Sequence, residues 1–162
     1  PTHKLKLILS EQISSFLIGY VDVIILLIYL RNILKLDFQG QIGKMLLISL
    51  FGSLIGVSMG LFIGSLSKIG EGIKAAVILA ISMVCSFLSG LMNSSMKDTV
   101  EKHCPIINRI NPAALISDAF YCINVYNDPA RYYRNVLTLA VMSAALVFAS
   151  FLLIRRNRYD SI

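Results

Sequence analysis

Four long stretches of the chain are apolar enough and long enough to cross a lipid bilayer. They are Gln12–Leu30, Met45–Leu66, Ala75–Met96 and Asn135–Ile154, and only the first contains a charged residue, Asp22. An α-helix rises about 1.5 Å per residue and the hydrocarbon core of a bilayer is about 30 Å thick, so about 20 residues suffice for one span. We therefore predict an all-α, polytopic membrane helix bundle with four transmembrane helices.

The composition excludes a soluble domain and argues against binding of nucleic acid. Only 15% of the residues are charged, whereas a soluble domain carries about 25%. The formal net charge is +6, but the lysines and arginines are scattered between the apolar stretches, as is usual for residues that flank membrane spans. The expected surroundings are a lipid bilayer, with no nucleic acid partner.

The orientation is predicted from the basic residues that follow the last apolar stretch. Arg155, Arg156 and Arg158 lie within four residues of one another, and basic residues next to a span favour the cytoplasmic side. Counted together with these three, the 15 lysines and arginines divide seven to eight between the two sides, so the total count decides nothing. We predict a multi-pass protein of the cell membrane with a cytoplasmic C-terminus.

The second apolar stretch contains glycines at every fourth position. Gly52, Gly56, Gly60 and Gly64 would lie on one face of a helix, and small residues on a membrane helix let a second helix approach closely. The spacing predicts helix packing on this face, against either another part of the chain or a second subunit. The alternative is that glycine is simply frequent in membrane helices.

Asp22 is the one ionisable residue within the apolar stretches. It lies near the middle of its stretch, where an ionised carboxylate is costly unless it is paired, hydrated or protonated. One interpretation is a group on the transport pathway or in a proton relay. The other is a carboxyl that faces the bundle interior and bonds to a neighbouring hydroxyl.

The segment 97–134, between the last two stretches, contains a short amphipathic helix. Asn111 and Pro112 form an N-cap and first-turn proline, and an apolar stripe follows at helical spacing through Leu115, Ala119, Cys122 or Ile123, and Tyr126. A helix over Pro112–Tyr126 is too short to span the bilayer, so we expect it at the outer interface, where aromatics such as Phe120 and Tyr126 are common.

A second cap-and-proline pair predicts where the last helix begins. Asn127 and Asp128 stop the short helix, and Asp128 with Pro129 starts the next one, which then runs into the final span. Cys104 and Cys122 both fall in this outer segment, so a disulfide between them is an open alternative to two free thiols.

The sequence contains none of the motifs that bind nucleotides or perform catalysis. The glycines near Lys68 and Lys74 do not match a phosphate-binding loop, and no protease or hydrolase motif is present. His103 and Cys104 are adjacent but lack the spacing of metal ligands. We predict no enzymatic activity, no cofactor and no metal site.

Taken in order, these segments resemble an ABC-2 type transporter permease. The resemblance rests on four segments and covers nearly the whole chain: Pro1-Thr2-His3-Lys4-Leu5-Lys6-Leu7-Ile8-Leu9, Ile110-Asn111-Pro112, Asp118-Ala119-Phe120 and Arg155-Arg156-Asn157-Arg158-Tyr159. Because the family has six spans, residues 1–162 would be a single permease domain that corresponds to spans three to six of a longer protein.

The resemblance implies a function and a set of partners. It implies an exporter permease that pairs with a second permease copy or homologue and is driven by a cytoplasmic ATP-binding subunit. The stretch around Asn111, Pro112, Asp118, Phe120 and Tyr126 would cap the pathway on the outside. Lys68, Glu71 and Lys74, in the short inner loop, are candidates for contact with the ATPase, although solvated loop ends would show the same pattern.

Two other functions remain open at this point. One is an ion- or proton-coupled secondary carrier that uses Asp22. The other is a non-transporting membrane scaffold that dimerises through the face from Gly52 to Gly64. No residue in the sequence indicates the transported substrate.

Overall fold

The computed structural model describes residues 4–33, 35, 41–66 and 69–157. Every regular element in these residues is helical. In chain order they are α1 (Lys4–Asn32), α2 (Ile42–Gly64), α3 (Glu71–Leu88), α4 (Ser94–His103), α5 (Pro105–Ile110), α6 (Pro112–Tyr121), a π-helical turn (Cys122–Tyr126) and α7 (Pro129–Asn157).

Four of the helices are long and apolar enough to cross a membrane. Their candidate spans are Gln12–Asn32 in α1, Ile42–Gly64 in α2, Glu71–Leu88 in α3 and Pro129–Arg155 in α7. These spans confirm the predicted all-α bundle with four transmembrane helices. The short helices α4, α5 and α6 all lie between the third and fourth spans.

The third span ends earlier than the uncharged stretch Ala75–Met96 predicted. The helix stops at Leu88 because Gly90 adopts a left-handed conformation with φ of 84°. The Gly90 amide donates to the Phe87 carbonyl and the Leu91 amide to the Ser86 carbonyl, each at 3.2 Å. This pair of bonds is a Schellman motif, which ends a helix at glycine. The Asn93 side chain then caps α4.

The core lies between α2, α6 and α7. Met45, Ile48 and Ile55 of α2 pack against buried residues of α6, the π-helical turn and α7, which are Leu115, Ala119, Cys122, Ile123, Tyr132, Val136 and Leu139. The Tyr132 hydroxyl donates to the Lys44 carbonyl at 2.7 Å, which joins the first turns of α7 and α2. The helix α6 therefore covers the end of the bundle where α2 and α7 begin.

The helices α1 and α3 lie at the edges of the bundle. No residue of α3 is fully buried, and α1 packs against α2, where the Tyr20 hydroxyl donates to the Leu46 carbonyl at 3.4 Å. Both helices expose large apolar side chains, such as Ile18 and Leu79 at 65% each. Such surfaces are expected of helices that face lipid or another subunit.

Candidate functional site

A buried carboxylate lies on α6, within the described part of the bundle. Asp118 lies on the face of α6 that also buries Ala114, Leu115 and Ala119, and it is only 8% exposed. A carboxylate so far from water is unfavourable unless hydrogen bonds and opposite charges replace its hydration. The structure supplies both from two other helices.

Three side chains donate N–H hydrogen bonds to this carboxylate. Arg131 of α7 binds both oxygens as a fork, with Nε 2.7 Å from Oδ2 and a terminal nitrogen 2.7 Å from Oδ1. Asn135 of α7 donates to Oδ2 at 2.8 Å, and Lys97 of α4 donates to Oδ1 at 3.2 Å. A bidentate arginine is a strong and directional partner for a carboxylate. We call these four residues the Asp118 cluster.

The environment keeps Asp118 ionised. Burial raises the pKa of its carboxyl, but the hydrogen bonds from Asn135 and Arg131, together with the charges of Lys97 and Arg131, outweigh burial and lower the pKa below its usual value. The cluster therefore has two cations for one anion, and it carries a net positive charge.

Aromatic rings cover the two cations of the cluster. The Lys97 ammonium lies 5.3 Å from the centre of the Tyr121 ring, and the Arg131 guanidinium lies 5.7 Å from the centre of the Tyr126 ring. Both distances fall in the range of cation–π contacts. The rings are about half exposed, so they form the boundary between the cluster and its surroundings.

Local capping motifs bring α6 and α7 into position for these contacts. Asn127 adopts a left-handed conformation at the end of the π-helical turn, and the Asp128 carboxylate accepts a hydrogen bond from the Arg131 amide at 3.0 Å. The chain therefore reverses within a few residues. As a result, Arg131 and Asn135, one turn apart on α7, both face Asp118.

Asn111 connects the cluster's helix to the third span. Its side-chain oxygen accepts hydrogen bonds from the amides of Ala113 and Ala114 at 3.0 and 3.4 Å, which caps α6. Its side-chain nitrogen donates to the Cys85 carbonyl at 2.8 Å, near the end of α3. One buried amide thus fixes the start of α6 against the end of α3.

Cys122 is a neutral thiol beside the cluster. Its sulfur lies 3.9 Å from Asp118 Oδ2. Burial raises the pKa of the Cys122 thiol, and the negative charge of Asp118 raises it further. All three cysteines are free, with Cys104 exposed and Cys122 buried, so the structure shows two thiols where a disulfide had been an alternative.

The sequence had singled out some of these residues but not the cluster. Asn111, Pro112 and Asp118 lie where the cap motif and the amphipathic helix predicted, and Phe120 packs partly buried against the core. Tyr126 differs from the prediction, because it is 55% exposed and does not extend the buried stripe. The last turn is π-helical, so α-helical spacing does not apply there.

Lys97, Arg131 and Asn135 were not predicted as partners of Asp118. The available signal was the carboxylate itself, because Asp118 lies one turn from both Ala114 and Cys122 on an apolar stripe and so needs a partner. Arg131 and Asn135 are four residues apart and share one face of α7. The sequence could not show that this face meets α6.

The four spaced glycines have different surroundings. A Cβ atom added at Gly52 would lie 3.3 Å from the Ile116 side chain of α6, whereas atoms added at Gly56, Gly60 and Gly64 would have nothing within 4 Å. The close packing within the chain is therefore at Gly52. Packing of the other three against a second subunit stays a prediction.

Asp22 lies on an exposed face of α1. It makes no hydrogen bond or ion pair with the residues that the structure describes. The bundle of this chain therefore does not bury it, and its role stays a prediction.

The three residues predicted to contact the ATPase, Lys68, Glu71 and Lys74, differ in their surroundings. Lys68 lies outside the described residues. Lys74 donates to the Gly64 carbonyl at 3.0 Å and pairs with Glu71 at 2.8 Å, and its side chain is only 11% exposed. Lys74 thus caps the end of α2, while the Glu71 side chain is 89% exposed.

The geometry suits a mechanical role more than a chemical one. The Asp118 cluster joins α4, α6 and α7, and Asn111 binds the start of α6 to α3. The groups of the cluster are two cations, a carboxylate and an amide that already bind one another. Such a cluster holds a short helix in place over the bundle.

A family model described as ABC-2 family transporter protein matches residues 1–152. No curated protein and no solved structure matches the chain.

Proposed function

The chain belongs to the ABC-2 family of transporter proteins and is a multi-pass membrane component of transport, and we propose that it is the permease of an ABC-type exporter. In this proposal it forms part of the translocation pathway, and a separate ATP-binding subunit supplies the energy. The family match over residues 1–152 is the observation that carries the proposal.

The Asp118 cluster would close the pathway on the outside. Orientation by the basic tail puts α4, α5 and α6 on the outer side. There, α6 covers the beginnings of α2 and α7, and four hydrogen bonds to Asp118 hold it in place. Release of cargo would need α6 and α7 to move relative to each other, and the cluster resists that movement.

We call α6 with its N-cap residue, Asn111, the outer cap. Movement would reach the outer cap through the third span. The helix α3 packs against α2 and α6 without burying any residue completely, so it has little apolar packing to break when it moves. Its end is bonded to Asn111, the first residue of the cap. A shift of α3 would therefore pull directly on the N-terminus of α6.

The ATP-binding subunit would approach from the opposite end. Of the two loop candidates that the structure describes, Glu71 at the start of α3 is the exposed one, because the Lys74 side chain binds the Gly64 carbonyl. In the predicted orientation this end of α3 is cytoplasmic. A contact at Glu71 would act on the same helix whose other end holds Asn111. This is the simplest route from ATP hydrolysis to the outer cap.

A second permease copy or homologue would complete the pathway. The open face at Gly56, Gly60 and Gly64 and the exposed apolar surface of α3 lie on membrane-spanning helices, where small residues favour helix contacts. This pairing follows from the family and is part of the proposal.

The test co-expresses the full-length protein in its cell membrane with a candidate ABC-type ATP-binding subunit. The two should copurify, and inside-out vesicles should take up cargo only with ATP. The Glu71→Lys variant should weaken copurification, while Glu101→Lys, an exposed acidic residue of α4 on the other side, should not. Glu101 also accepts a bond from Asn108, so the stability of that control is checked by its melting temperature.

Two results would contradict the proposal. Uptake that continues without the ATPase, and stops when the proton gradient is dissipated or when Asp22 is changed to Asn, would indicate a secondary carrier. Copurification without any transport activity, across drugs, peptides and lipids as cargo, would favour a scaffold.

A further inference from the structure

An open groove of about 440 Å³ lies between α2 and the second half of α7. Leu54 of α2 forms one wall, and Ala140, Ala144, Phe148 and Phe151 of α7 line the other side. These α7 residues recur every three or four positions, so they share one face of the helix. The small Ala140 and Ala144 leave the hollow, and the larger side chains border it.

The groove offers apolar contact and little else. Its one hydroxyl, that of Ser143, is 1% exposed and donates to the Leu139 carbonyl of its own helix at 2.8 Å. Phe148, by contrast, keeps 63% of its surface exposed. A ligand in this groove would therefore be an apolar chain and not a polar molecule.

The length and depth of the groove match one leaflet of a bilayer. From Ala140 to Phe151 the helix rises about 16 Å, close to half of the hydrocarbon thickness of about 30 Å. The candidate span of α7 is Pro129–Arg155, so the groove runs from the middle of the span to one turn before its end. An acyl chain of a lipid in one leaflet occupies the same depth.

A cation lies where the headgroup of such a lipid would be. Arg155 is exposed and follows Phe151 by four residues, on the same face of α7. Arginine binds phosphate oxygens through a fork of two N–H groups. On the cytoplasmic side, where the basic tail is expected, the leaflet is rich in anionic lipids.

We propose that this groove holds an acyl chain of an anionic phospholipid whose phosphate is bound by Arg155. The lipid is a resident partner of the permease and is independent of the cargo. Its occupancy would fix α2 against α7 along the half of the bundle that the Asp118 cluster does not reach.

Native mass spectrometry of the full-length protein in mild detergent tests the headgroup. Phosphatidylglycerol and phosphatidylcholine are the probes, and the wild type should retain phosphatidylglycerol preferentially. Arg155→Gln should weaken its affinity about fivefold, which corresponds to about 1 kcal/mol per basic residue near an anionic surface. The retention of phosphatidylcholine should not change. Arg134→Gln, at the other end of the same helix, is the charge control and should retain both lipids as the wild type does.

A second pair of variants tests the groove itself. Ala144→Phe fills the hollow and should remove both lipids, whereas Ala145→Phe, at the neighbouring exposed position, should leave them bound. Equal lipid retention by the two variants would overturn the proposal.

Photocross-linking identifies the molecule that occupies the groove and needs no change at Ala144. It therefore tests the proposal even when Ala144→Phe does not fold. With Phe148→benzoylphenylalanine in native membranes, the cross-linked product should have the added mass of a phospholipid. A product with the mass of a peptide would show that protein covers the groove, from this chain or from a partner, and would overturn the proposal.

Discussion

At the scale of single residues, the end of the bundle that α6 covers depends on Asp118. Its carboxylate is the point where α4, α6 and α7 meet, and if Asp118 were neutral, Lys97 and Arg131 would lose their counter-charge and Asn135 would face a weaker acceptor. Breaking a buried ion pair by removing one partner is costly because the other charge stays behind.

Asp118→Asn should therefore destabilise the protein by about 3 kcal/mol, since Arg131 and Lys97 would lose their counter-charge. The expected measurements are a lower melting temperature and faster maleimide labelling of Cys122, which is 2% exposed in the intact cap. The experiment uses a background with Cys85→Ser and Cys104→Ser. Asp98→Asn, on the exposed side of α4, is the control and should change stability by less than about 0.5 kcal/mol.

The contribution of Asp118 should depend on pH in one direction. Its native pKa is lowered from an unfolded value of about 3.9, so its stabilisation is present above about pH 4 and is lost as the pH falls through the native pKa. The difference in melting temperature between wild type and Asp118→Asn should stay constant from about pH 8 to pH 5. A difference that already disappears between pH 7 and pH 5 would mean that the native pKa is raised instead.

Asn111 allows a test that separates capping from the link to α3. Asn111→Asp keeps the oxygen that caps α6 but turns a donor into a carboxylate facing the Cys85 carbonyl. We expect a loss of about 1–3 kcal/mol in stability. Asn93→Asp, at the exposed N-cap of α4, changes a cap without such a link and should be neutral. Equal effects at both positions would mean that the bond to α3 contributes nothing.

At the scale of helices, the sequence predicted where helices begin better than where they end. Asn111 with Pro112 and Asp128 with Pro129 are local signals, and both helices begin there. The predicted end of α3 was wrong because Gly90 lies inside an uncharged stretch, and hydropathy alone does not reveal the Schellman motif there. The Asp118 cluster could not be predicted, because which helix faces meet is decided by packing between segments far apart in the chain.

The glycine series should divide into two classes. Gly52→Leu should overpack Ile116 of α6 and lower stability by about 1–3 kcal/mol, while Gly56→Leu meets open space within the chain. Thermal unfolding of the monomer should detect only the first. If the open face binds a second subunit, Gly56→Leu should instead lower the dimer fraction in cross-linking of membranes. A stable monomer for Gly52→Leu would contradict the contact with α6.

At the scale of the whole molecule, the four spans put α4 to α6 on the side opposite the C-terminus. Cys104 is exposed in this segment. In intact cells it should react with a membrane-impermeant maleimide, whereas Tyr159→Cys in a cysteine-free background should react only after permeabilisation. Labelling at position 159 but not at 104 would reverse the orientation, and the outer cap would then lie in the cytoplasm.

The spacing of the Asp118 cluster along the chain also sets an order of assembly. Lys97 and Asp118 leave the ribosome before Arg131 and Asn135, and synthesis runs from the N-terminus. Until α7 has been made, the carboxylate of α6 lacks its strongest partner. The ion cluster therefore forms only when the last span is in place, and the arrival of α7 completes the end of the bundle that α6 covers during biogenesis.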